Sequence, residues 1–159
     1  MSDDQVDLCF SEDERLTLSS VLDEIIPPSE DGRFPGAGEL GLASYIEQSL
    51  AQTPALRPVT VNGLAAVDEL ARAQGSHAFP ALSSEDKREL LKELGSKQPA
   101  FLPTLILQTY VGYYQNPRVV EALGLEARPP HPIGYETEPN DLTLLNPVRE
   151  RPKMYRELP

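Results

Sequence analysis

The chain has 159 residues, enough for one domain with a genuine hydrophobic core and no need of staples. Hydrophobic residues at 40% and charged residues at 25% describe an ordinary soluble protein, while 25 acidic against 14 basic side chains leave a net charge of −11. That charge repels phosphate backbones and anionic membrane surfaces, so nucleic acid is excluded as an expected partner. A single cysteine, Cys9, rules out an intramolecular disulfide and a cysteine-rich metal or iron–sulfur site.

The opening MSDDQVDLCF has no basic, apolar leader pattern, and no run of about 18 apolar residues follows, so direct membrane insertion is not expected and a cytoplasmic location is. Ser11 and Glu14 have the spacing of a capping box, and Leu18, Val21, Leu22, Ile25 and Ile26 recur at helical spacing. A first helix is predicted from about Glu12 to Ile26, stopped by Pro27 and Pro28. A second short helix is predicted from Glu39 to just before Pro54, with Leu42, Tyr45, Ile46 and Leu50 on one side. A third runs from about Thr60 to Gln74, with Gly75 as its C-terminal stop. Ser83 and Asp86 open a fourth, striped by Leu90, Leu91 and Leu94, with Gly95 expected as its cap. A fifth, from about Ala100 to Gln115, carries Leu102, Leu105, Ile106, Thr109, Tyr110 and Tyr113 and, as the most apolar, is expected to be central. No segment alternates with period two. The expected fold is therefore all-α: about five packed helices over residues 11–125, preceded by a leader of ten residues. Residues 126–159 hold seven of the 16 prolines and should form a long, mostly non-helical tail.

Several motifs invite chemistry. PGAGELG spells G-x-G-x-x-G at Gly36, Gly38 and Gly41, but a dinucleotide loop needs a strand before it inside a βαβ unit, and here a helix and two prolines precede. The glycines are expected to shape a helix-to-helix loop. SEDG resembles the middle of a calcium loop, yet that register puts Pro27 and Gly38 where ligands belong. His77 and His131 are too few and too far apart for a metal site of usual spacing, and the acidic clusters SEDE and SSEDK fit the first turns of helices. No catalytic constellation and no cofactor-binding or metal-binding sequence stands out.

Two features point to contact instead. In TYVGYY, Tyr110 and Tyr113 are either core or contact residues, Tyr114 points elsewhere, and Gly112 would let another backbone approach. The tail carries Ile133, Tyr135, Leu142, Leu144, Leu145, Val148, Met154, Tyr155 and Leu158, too apolar for a solvated linker. It either wraps its own helical domain or lies along another protein.

FSEDERLTLSSVLDEIIPPSEDGRFPGAGELGLASYIEQSL, followed by GLAAVDELA, FPALSSEDKRELL, TYVGYYQNPRVVEALG and PIGY, resembles the gluconate 2-dehydrogenase subunit 3 family over most of residues 10–135. The helix ending in DEIIP, the acidic Gly/Pro loop after it and the YYQNPR segment are the most specific pieces. The resemblance implies a small subunit that binds no cofactor itself. It would support the folding, stability or export of an FAD-containing large dehydrogenase subunit of the glucose–methanol–choline type, which oxidises sugars, sugar acids or related alcohols. Many family members begin with a twin-arginine export signal, and MSDDQVDLCF shows none. The residues expected to contact the partner are Tyr114, Asn116, Pro117 and Arg118, then Pro130, His131, Pro132, Ile133, Gly134 and Tyr135, and in the tail Leu144, Leu145, Met154 and Tyr155. The alternative from another class is a small enzyme in its own right, with His131 and Tyr135 or Tyr114 as acid/base groups.

Overall fold

The computed structural model describes residues 10–128, 134 and 139–152, and among them there are helices and no strand. The chain divides into two units, Met1–Ala127 and Arg128–Pro159.

In the first unit, α1 (Glu12–Ile25) starts at a full capping box: the Ser11 amide donates to Glu14 Oε2 at 2.8 Å and the Glu14 amide to Ser11 Oγ at 3.3 Å. Glu12, Asp13 and Glu14 complement the positive end of the helix dipole. Thr17, Leu18, Val21 and Leu22 form its buried face, each apolar side chain contributing about 1.5–3 kcal/mol by burial. α2 (Ala43–Gln52) begins later than the sequence suggested, because Glu39–Leu42 is a run of turns pinned by Gly41 at φ +66°. α3 (Arg57–Ala73) begins earlier than expected: a 3-10 turn, Pro54–Leu56, leads into it, and Pro58 sits in its first turn where no hydrogen-bond donor is needed. Its end is as predicted, with Gly75 at φ +84° and the Ser76 amide donating to the Ala71 carbonyl.

α4 (Ser84–Lys97) is capped by Ser83, whose hydroxyl accepts from the Asp86 amide at 3.2 Å. Gly95 lies inside this helix and does not cap it; the helix runs on to Lys97, with Gln98 as its C-cap before the turn at Pro99 and Ala100. α5 (Phe101–Gln115) packs against α1, α2, α3 and α4, and a sixth helix that the sequence did not announce, α6 (Pro117–Ala122), follows at once. Asn116 caps α6 by accepting from the Arg118 amide at 3.0 Å, and Pro117 supplies its first position. The core is one cluster running from Phe10 and Leu18 through Ile46, Leu64, Phe79, Leu90 and Phe101 to Val119. Gly63 in α3 is there because the Phe101 ring occupies the space of a side chain: a Cβ would lie 2.0 Å from the ring.

In the second unit, Asp141 caps a 3-10 turn, Leu142–Leu145, which continues into a single helical turn, α7 (Asn146–Arg149). Thr143 donates to Asp141 Oδ1 from its amide at 3.0 Å and its hydroxyl at 2.6 Å, and these bonds hold the carboxyl of Asp141 below the ordinary carboxylate range. Among its described residues the proline-rich tail is thus helical over one short stretch.

Candidate partner-binding face

The PGAGELG loop is built as a clamp. The Gly38 amide donates to Asp23 Oδ1 on α1 at 2.8 Å, and the Ala37 amide donates to the Ile26 carbonyl at 2.9 Å. Gly36 and Gly38 lack side chains because Asp23 and the Ser19 carbonyl fill the space: a Cβ would lie 2.3 Å from Asp23 at Gly36 and 2.2 Å from Ser19 O at Gly38. The glycines thus serve close approach of loop to helix, which accounts for the spelling without a phosphate ligand. On the other side the loop is tied to α5 and α6. The buried Tyr113 hydroxyl donates to the Pro35 carbonyl at 2.9 Å, Arg33 donates to the Ala122 carbonyl at 2.9 Å, and Arg118 pairs with Glu39 at 3.3 Å. Burial, and secondarily the neighbouring Tyr114, pushes the Tyr113 phenol above its ordinary pKa. Asp31 is used locally, accepting from Ser29 Oγ and the Arg33 amide, bonds that lower its pKa.

The clamp fixes the orientation of α5, and α5 is apolar on two sides. Leu105, Thr109, Gly112 and Tyr113 face the core. Pro103, Ile106, Leu107, Tyr110, Val111 and Tyr114 lie on the opposite arc and are exposed, Leu107 by 65% and Tyr114 by 51%, more than a side chain buried within its own chain would show. The Tyr110 and Tyr114 rings stack, with centroids 6.1 Å apart and planes within 10°, and Tyr113 meets Tyr114 edge-on at 5.2 Å. Leu123 and Leu125, just beyond α6, are also exposed. A helix apolar all round is normally enclosed, and among the described residues none buries the outer side of this one.

Two predictions about this helix need correcting. Ile106, one of the apolar residues of the helix expected to be central, emerges at the surface, as does Tyr110, which the sequence left open between core and contact, so α5 is central in its contacts yet exposed along one face. Gly112 does not admit a foreign backbone: the ring of Tyr45 from α2 packs on it, and a Cβ there would lie 2.7 Å from that ring.

Of the predicted contact residues, Tyr114 lies on the exposed arc, Asn116 and Pro117 start α6, and Arg118 projects from it, while Gly134 takes φ +74°. Leu144 and Leu145 are exposed on the tail turn, together with Leu142 and Val148. Pro130, His131, Pro132, Ile133, Tyr135, Met154 and Tyr155 lie outside the described residues. His77 is exposed beside a shallow groove of about 360 Å³, where Thr17 donates to Asp68 at 2.8 Å. Among the described residues no group of three His, Cys, Asp or Glu is placed to hold a metal ion, and no helix is long and apolar enough to cross a membrane.

The family model described as gluconate 2-dehydrogenase subunit 3 matches residues 12–127. The chain belongs to the gluconate 2-dehydrogenase subunit 3 family. Neither a curated protein nor a solved structure matches it. The subunit 3 match ends at the residue where the first compact unit ends, so it covers α1 to α6. Membership implies a partner dehydrogenase subunit. Ile106, Leu107 and Val111, much of the exposed arc, were not among the contact residues expected from sequence, whereas Tyr110 was open between core and contact. Their signal was present in the second apolar stripe of α5, which the sequence pattern alone cannot tell from a deeply buried helix.

Proposed function

We propose that this chain is the cofactor-free small subunit of an FAD-dependent dehydrogenase of the glucose–methanol–choline type, and that it binds and stabilises the large subunit through the outer face of α5. The observation that supports this most directly is the uncovered apolar arc from Ile106 to Tyr114 in a member of a dehydrogenase-subunit family. Stacked tyrosines supply large contact area with little side-chain entropy to lose, which suits the centre of an interface. The arc is too narrow to fill a standard interface of about 1,200–2,000 Å² alone. The exposed Leu123 and Leu125 add contact area of the same character, and the second unit has apolar side chains of its own to offer a partner in Leu142, Leu144, Leu145 and Val148.

The test is a double substitution, Leu107→Asp with Val111→Asp, at two exposed positions where aspartate costs the fold little. The tagged wild-type chain, captured from its native host, should retain a flavin-bearing dehydrogenase, and the variant should retain none while keeping its helical circular dichroism. Equal retention by both would rule out the α5 face as the docking surface.

A further inference from the structure

A hollow of about 320 Å³ lies where the end of α1, the middle of α4 and the first two-thirds of α5 meet. It is lined by Leu91, buried, by Ile25 and Leu102, half-buried, by the exposed Ile106 and Tyr110, which belong to the outer arc of α5, and by the ion pair of Glu24 with Arg88. We infer that this hollow receives one aromatic side chain of the dehydrogenase large subunit, held between the Tyr110 ring and the Arg88 guanidinium. The inference rests on the docking face proposed above, with which the hollow is continuous.

The chemistry of the walls selects the occupant. Glu24 is almost covered, its side chain 13% exposed, and its carboxylate is already satisfied: Ser84 Oγ donates to both oxygens, at 2.9 and 3.0 Å, and Arg88 Nε donates at 3.3 Å. It has no need of a cationic or hydrogen-bonding ligand. The Arg88 side chain is 70% exposed and planar, tethered by Glu24 and by its own bond to Ser84 Oγ at 2.8 Å, so it offers an aromatic ring a positively charged plane without first being ordered. Tyr110 stacks on Tyr114, is 44% exposed and lines the hollow, so a ring entering there can extend that stack. The volume stands at the floor of the roughly 300–1,000 Å³ range of small-molecule sites, and the walls lack the several convergent polar groups by which such sites orient a ligand. A buried aromatic anchor beside an apolar strip is instead the usual composition of an interface hot spot.

The experiment measures the affinity of the full-length chain for the captured dehydrogenase with two variants. Leu102→Trp fills the hollow from a half-buried position, and Arg88→Ala removes the charged wall without touching the core. Leu102→Trp, with its melting temperature preserved, should weaken the complex at least about tenfold, and Arg88→Ala by several-fold, the range expected on removing anchor contacts. Arg88→Ala also decides the matter should Leu102→Trp fail to fold. Wild-type affinity in Arg88→Ala and in folded Leu102→Trp, with Leu107→Asp/Val111→Asp still abolishing binding, would overturn the anchor and leave the docking face standing. Wild-type affinity in all three variants would overturn both.

Discussion

Replacing Gly38 with alanine places a methyl carbon 2.2 Å from the carbonyl oxygen of Ser19 and 2.6 Å from Asp23 Oδ2. Gly38 is not at positive φ, so alanine can adopt its backbone conformation and the effect is one of space alone. The Ser19 carbonyl belongs to the middle of α1, which cannot retreat without moving the core residues Leu18 and Leu22. The loop must lift instead, and the bond from the Gly38 amide to Asp23 goes with it. A hydrogen bond to a charged group contributes about 1.5–3 kcal/mol and overpacking costs about 1–3 kcal/mol. The lower chain entropy of alanine in the unfolded state returns about 0.4–1 kcal/mol. Because lifting relieves the clash, the two costs do not add fully, and a net loss of about 2–4 kcal/mol follows. Gly41→Ala is the control: its φ of +66° is strained for alanine, but nothing lies within 4 Å, so about 1–2 kcal/mol is expected. Urea denaturation followed by circular dichroism measures both. If Gly38→Ala were as stable as the wild type, or less affected than Gly41→Ala, the clamp would not be what these glycines are for.

Gly63→Ala should destabilise despite the usual advantage of alanine in a helix, because the Phe101 ring it meets is 1% exposed and has nowhere to go; a Phe101→Leu partner that recovers part of the loss in a double-mutant cycle would confirm the cause. Tyr113 has a raised folded-state pKa, so the stability it provides is fully present below the ordinary tyrosine pKa of about 10 and is lost as pH rises through its folded value. Tyr113→Phe should therefore cost about 1 kcal/mol at neutral pH, through the lost bond to Pro35, and flatten the alkaline fall in stability. Deleting residues 136–159 should leave the helical unit folded by circular dichroism but reduce the yield of complex; full yield would remove the tail from the interface. Millimolar dinucleotide should leave the melting temperature unchanged, since a ligand that binds the folded chain would raise it.

The helices were legible wherever local signals agreed with burial. The capping box at Ser11, the N-cap at Ser83, the stop at Pro27 and the positive-φ Gly75 each act within a few residues, so their meaning does not depend on the rest of the fold. Gly95 misled because a helix interior tolerates glycine when the next turn continues to be useful, here with Lys97 pairing to Glu93 at 2.6 Å. The start of α3 was missed because prolines at positions 54 and 58 read as breaks, although both stand in first turns where proline is favoured. The site was only half legible. Tyr114 and the YYQNPR segment could be singled out, but the outer arc of α5 and the hollow beside it depend on which of two apolar stripes the other helices cover. That choice is made by tertiary packing, through Tyr45 on Gly112 and Tyr113 under the loop.

The most direct measurement is affinity purification of the tagged wild-type chain from its native host beside Leu107→Asp/Val111→Asp, with subunit stoichiometry, a visible absorbance spectrum and sugar or alcohol dehydrogenase activity measured on each eluate. The account predicts a yellow, stoichiometric, active complex from the wild type and a colourless, folded, solitary chain from the variant. A solitary wild-type chain, or a variant that brings down the same active flavoprotein, would contradict it.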